Sequence, residues 1–118
     1  VYDMTTQVAK DSDTVSNFLQ GKSFDEAPEL YRQSSPRFHL DKNDPPTLIL
    51  HGTIDDIVEV SQSDALDAHL KRLKIPHAYG RLDGWPHTMD LAKPVNDYCQ
   101  AMMDRFFAKH IPLPQKKH

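Results

Sequence analysis

The chain has 118 residues, 26 % of them charged and 38 % hydrophobic, with a formal net charge of −3. That length suits one domain with a modest core, and the composition is not that of a disordered chain. The charge gives no case for nucleic-acid binding: there is no basic stripe, and the one basic run, Lys116-Lys117, reads as a solvated tail.

Nothing approaches a membrane span, and a single cysteine, Cys99, excludes an internal disulfide or a cysteine-built zinc site. Gly21, Gly52, Gly80 and Gly84 are isolated, so there is no glycine-rich phosphate loop. The chain opens at Val1-Tyr2 and not at a methionine, so the natural N-terminus is expected to lie outside it.

In chain order, Val1 and Tyr2 read as the tail of a strand, and Asp3 to Asp13 as polar loop with one irregular turn. Thr14 to Leu19 predicts a short helix ended by Gly21 in a left-handed conformation. Ser23 and Glu26 have capping-box spacing at the head of a helix to Gln33, with Pro28 tolerated only near its start. Arg37 to Pro46 is dense in turn-formers and reads as a surface connection.

Thr47 to Leu50 then predicts a buried strand, stopped by His51-Gly52 and followed by a polar loop with Asp55 and Asp56. Leu66, Leu70 and Leu73 mark one face of a helix over Val60 to Leu73. Asp64, Asp67, Lys71 and Arg72 fall on its wet side, with Asp67 and Lys71 paired at i, i+4. His77 to Leu82 is a second strand, parallel to the first by the strand–helix–strand spacing. Asp83 to Met89 is a loop. Pro94 to Lys109 is the last helix, its apolar face built from Val95, Tyr98, Cys99, Met102 and Phe106 and widened by Met103 and Phe107.

Two residues carry the chemistry. A hydroxyl nucleophile needs a base to take its proton, and the base needs a carboxylate to hold its tautomer. Asp55 and His87 stand on loops after consecutive strands, so the loops are neighbours, and the order Asp then His fits a Ser…Asp…His chain order. Asp56 reads as a solvated neighbour that could mis-register the motif. His51 at the strand exit reads as a structural hydrogen-bonding residue. His39, His69, His77, His110 and His118 have no partner at a telling spacing. A metal site from Asp55, Asp56 and His87 lacks a third convergent ligand type. Trp85 either walls a pocket beside the base or packs its loop onto the last helix. Cys99 is core and not a substitute nucleophile.

The run HGTIDDIV, then helix, strand and the loop LDGWPHTMD, resembles the C-terminal part of an α/β-hydrolase. It is similar to the pattern H-G-x-x-D-x-x-V, in which the Asp is the triad acid. SPRFHLDKNDPPTLILHG and GWPHTMDLA are closest to feruloyl- and acetylxylan-esterase-like carboxylesterases. The resemblance covers Val1 to Pro112. It implies an α/β fold, the end of a doubly wound sheet with two to three parallel strands and flanking helices. Residues 1–46 would form a lid-like or connecting region and 47–112 the core with Asp55 as acid and His87 as base. It implies no cofactor.

Two departures stand out. Glu59 replaces the proline usual at that point. The G-x-S-x-G nucleophile elbow is absent: none of Ser12, Ser16, Ser23, Ser34, Ser35, Ser61 or Ser63 lies between glycines. In the family's chain order, elbow and oxyanion segment precede the part seen here. The chain is therefore expected to be part of a serine-dependent carboxylic ester hydrolase, inactive alone and stable only when docked on the N-terminal remainder or on a copy of itself. A small ester is the expected substrate, with no nucleic-acid or membrane partner. The alternatives are the C-terminal part of a prolyl-oligopeptidase-type serine peptidase, and a non-catalytic α/β-hydrolase-like interaction module.

Overall fold

The structure is a computed structural model and describes residues 1–114. Lys116-Lys117 and His118 lie outside the described residues. The chain divides into two compact units, one spanning Val1–Lys42 and the other running from Asn43 onward.

The first unit is helical. Helix α1 spans Gln7–Lys10, α2 Asp13–Phe18 and α3 Pro28–Gln33, followed by a 3₁₀ turn at Pro36–Phe38. The expected strand tail at Val1-Tyr2 is not formed: Tyr2 is buried in irregular backbone and its carbonyl accepts from Arg37 N at 3.1 Å. The expected loop over Asp3 to Asp13 contains α1, because Thr6 caps it by accepting from Ala9 N. The Ser23–Glu26 box is formed, but it closes a turn, and the helix itself waits for Pro28. Gly21 is left-handed (φ +72°), as is Gln20 before it (φ 63°).

Met4, Ala9, Val15, Leu19 and Tyr31 form the core of this unit. Tyr31 is fully buried because its hydroxyl has a partner, donating to Lys22 O at 2.8 Å. Ser35, also fully buried, donates to Tyr31 O and accepts from Met4 N. Asp3 is buried too. Burial alone would raise its pKa, but Thr5 and Arg37, both bonded to its carboxylate, hold it below the usual carboxylate range.

The second unit is α/β. Strand β1 spans Thr47–Gly52, α4 Val60–Arg72, β2 His77–Leu82 and α5 Lys93–His110, with a 3₁₀ turn at Met89–Leu91. β1 and β2 pair in parallel, Thr47 opposite His77 and Gly52 opposite Leu82. Alternate side chains point to opposite sheet faces. Leu50 and the Gly80 position share one face with Met102 of α5. His51, Tyr79 and Arg81 share the other with α4, bonding Ser63 and Asp64. One helix therefore covers each face, the arrangement parallel strands require.

Leu70 is fully buried, with Leu66 and Leu73 half-buried beside it. α4 ends with Lys74 in the left-handed region (φ 57°), where the Lys74 and Ile75 N–H groups return to Lys71 O and Leu70 O. Its acidic side is not simply wet. Asp64 accepts from Tyr79 Oη (2.7 Å) and Arg81 Nε (3.0 Å). Asp67 meets His77 Nε2 at 3.0 Å and holds Lys71 only at 3.9 Å. Histidine 77, expected to lack a partner, also bonds Ile75 O through Nδ1. His39 likewise bonds Gln33 O, and His110 lies against the Phe106 ring. On α5, Val95 and Cys99 are buried and Met102, Met103 and Phe106 half-buried. Tyr98 and Phe107, expected on the buried face, are exposed, because two strands are narrower than the helix's apolar stripe.

Candidate active site

The site lies at the C-terminal ends of β1 and β2, where open α/β sheets place their chemistry. The loop after β1 folds into a tight turn around its own carboxylate. Asp55 Oδ1 accepts from Ile57 N (2.9 Å) and Val58 N (2.8 Å). This local bonding leaves Oδ2 to side-chain partners, and His87 Nδ1 lies 2.7 Å from it.

The two groups differ in exposure. The Asp55 side chain is 4 % exposed and the His87 side chain 43 %. Burial pushes the Asp55 pKa up. The Val58 N–H, His87 and the Ile57 N–H more than offset this, so the carboxyl sits below its ordinary range and is ionised at neutral pH. An ionised carboxylate only accepts, so His87 Nδ1 carries the proton and Nε2 is left as the basic nitrogen. Asp56, next in sequence, is exposed and outside the pair. The turn chemistry, not sequence adjacency, selects between the two carboxylates.

Several backbone contacts hold the two loops together. Thr53 N donates to Leu82 O and Ile54 N to Trp85 O. Thr53 Oγ1 donates to Asp83 Oδ1 (3.1 Å) and accepts from Gly84 N (2.8 Å). Trp85 thus contributes its carbonyl to the junction. The closest approach is at Gly52. A Cβ there would lie 2.0 Å from Trp85 O, 2.6 Å from Trp85 C and 2.8 Å from Pro86 O. Only glycine admits the histidine loop this close. Sequence reasoning passed over this role. Its signal is the glycine that ends β1, within the H-G-x-x-D run.

His51 is more engaged than a generic structural histidine. Its Nε2 bonds Val58 O at 2.8 Å and lies 3.1 Å from Asp55 Oδ2, and its Nδ1 meets Ser63 Oγ at 2.6 Å. Cys99 is buried, and burial followed by nearby Asp90 raises its thiol pKa, which disfavours the thiolate. Among the described residues, no group of three or more His, Cys, Asp or Glu side chains could hold a metal ion. No described helix is long and apolar enough to cross a membrane.

A parallel βαβ unit covered by a helix on each face, with a buried Asp and an exposed His paired across its strand ends, is the layout of the C-terminal part of an α/β-hydrolase. Comparison with known proteins agrees. Residues 1–70 match the BD-FAE family model, and the chain belongs to that family. It is 28 % identical over 88 residues to Esterase LipC of Mycobacterium tuberculosis (strain ATCC 25618 / H37Rv), covering 74 % of this chain and 22 % of that protein. It superposes on a truncated form of a carbohydrate esterase from gut microbiota with a TM-score of 0.64 at 27 % identity, covering 75 % of this chain and 30 % of that one. The chain therefore spans less than a third of the length of either relative.

Proposed function

We propose that this chain supplies the acid and base of a serine-dependent carboxylic ester hydrolase, and that the nucleophilic serine and oxyanion hole come from a segment N-terminal to Val1. The observation that carries the reading is the 2.7 Å contact between His87 Nδ1 and the buried, ionised Asp55 Oδ2. The names of the two relatives, both esterases, support the reaction class.

In this reading His87 Nε2 takes the serine proton as the hydroxyl oxygen attacks the ester carbonyl. The resulting imidazolium is stabilised by Asp55 and returns its proton to the departing alcohol. A water molecule then repeats the cycle on the acyl-enzyme, with His87 again as base. Every proton transfer uses Nε2, and no cofactor enters.

The N-terminal remainder is also the proposed partner of the open side of the sheet. Thr47 N and Thr53 N donate to the carbonyls of Pro76 and Leu82. In a parallel ladder the main-chain groups of Leu48 and Leu50 then point away from β2. A groove of ≈ 430 Å³ lined by Leu48, Leu50, Met103, Phe106 and Phe107 runs beside them. A further parallel strand would fill it.

The test is turnover of a small aryl acetate by the complete protein that contains this chain. His87→Ala is expected to cut kcat by at least about 10³-fold. Undiminished turnover would refute the assignment of the base, and a parent with no esterase activity would leave the peptidase and interaction-module readings.

A further inference from the structure

Asp55 stands on a loop without regular structure, yet a base needs its carboxylate partner held within a fraction of an ångström. The two N–H groups that orient Asp55 Oδ1 belong to Ile57 and Val58, which are themselves loop residues. That loop must be held against the sheet, and beside the backbone contacts of Thr53 and Ile54 it is His51 that reaches its far end. Its side chain, 9 % exposed, is rooted in β1. Val58 O can only accept, so the Nε2–H of His51 donates to it, at 2.8 Å. The Val58 backbone is thus gripped on both sides of its Cα, its N–H by Asp55 and its C=O by His51.

The same Nε2 lies 3.1 Å from Asp55 Oδ2, the oxygen that also meets His87. The N–H edge of the His51 ring therefore faces Oδ2, while the loop amides hold Oδ1. On the far side of the ring, Nδ1 meets Ser63 Oγ at 2.6 Å, on the first turns of α4. One imidazole so ties β1, the acid loop and α4 together.

We propose that His51, anchored by Ser63, is a positioning residue for the Asp55–His87 pair. It acts through the Val58 backbone and the Asp55 carboxylate and touches no reacting atom. The proposal rests on the ester-hydrolase reading above.

The two ring nitrogens can be separated by substitution. The amide nitrogen of glutamine reaches the place of Nε2, whereas that of asparagine stops near Nδ1. In the complete enzyme acting on an aryl acetate, His51→Asn is expected to lower kcat about 100-fold with KM little changed, the cost of a misplaced catalytic group. His51→Gln restores the Val58 contact and is expected to recover about tenfold or more of that loss. A general packing defect would lower both variants alike and would not divide between kcat and KM in this way. Should the asparagine variant fail to fold, Ser63→Ala replaces it. The freed ring then lowers kcat about tenfold with KM held.

Equal kcat for the Gln and Asn variants, or a wild-type kcat in Ser63→Ala, overturns the proposal. Its failure is distinct from failure of the esterase reading. If His87→Ala abolishes turnover while the His51 variants behave alike, only the positioning role is lost. If His87→Ala is itself active, the underlying assignment falls.

Discussion

Replacing Asp55 with asparagine in the complete enzyme is expected to lower kcat on the order of 10⁴-fold while the fold survives. The size follows from which oxygen does what. Oδ1 is committed to two backbone donors, Ile57 N and Val58 N, and only an oxygen can serve there. Asparagine must therefore keep its carbonyl on that side and turn its amide nitrogen toward His87 Nδ1. A donor would then face a donor at 2.7 Å. His87 relieves the conflict by moving its proton to Nε2, the nitrogen that has to accept from the nucleophile. The base is present but in the wrong tautomer. Asp56→Asn, on an exposed side chain outside the pair, is expected to leave kcat near wild type. Steady-state kinetics of the two variants side by side check the assignment. An Asp56 variant as damaged as the Asp55 variant would mean that the acid is misassigned.

Gly52→Ala is expected to lower kcat/KM about 100-fold or more, since the histidine loop must shift by far more than the tolerance of a proton-transfer pair. The new Cβ would sit 2.0 Å from Trp85 O and 2.6 Å from Trp85 C. These are main-chain atoms of the segment leading to His87, so no side-chain rotation relieves the clash. The substitution is expected to destabilise the fold as well, by roughly 1–3 kcal/mol, the range for forced overpacking. Thermal unfolding and kinetics together separate the two effects. A Gly52→Ala enzyme with native activity would show that the loops do not need this approach.

Much of the architecture is legible in local pattern. The leucine spacing of α4 and the β-forming runs of β1 and β2 follow from periodicity, which depends only on near neighbours. Asp55 and His87 stand out because a short motif surrounds each, and the fold brings them to 2.7 Å. Other features depend on chain segments far apart in sequence. The crowding at Gly52 comes from residues 33 and 34 positions downstream. Asp64 and Asp67 looked like solvated helix residues because Tyr79, Arg81 and His77 reach them only once β2 lies beside α4. His51 reads as a structural hydrogen-bonding residue, but its particular partners, Val58 and Ser63, come within reach only when the acid loop turns back. Near the N-terminus the error was local. The cap at Thr6 was available in the sequence, but a four-residue helix has too few apolar positions to show a period.

We propose that these 118 residues hold the acid and base and not the nucleophile. The most direct test is to label the complete protein with a serine-directed fluorophosphonate and locate the adduct by peptide mass spectrometry. One stoichiometric adduct is expected on a serine outside this chain, with labelling sharply slowed by His87→Ala. A stoichiometric adduct on any serine between Ser12 and Ser63 would contradict it.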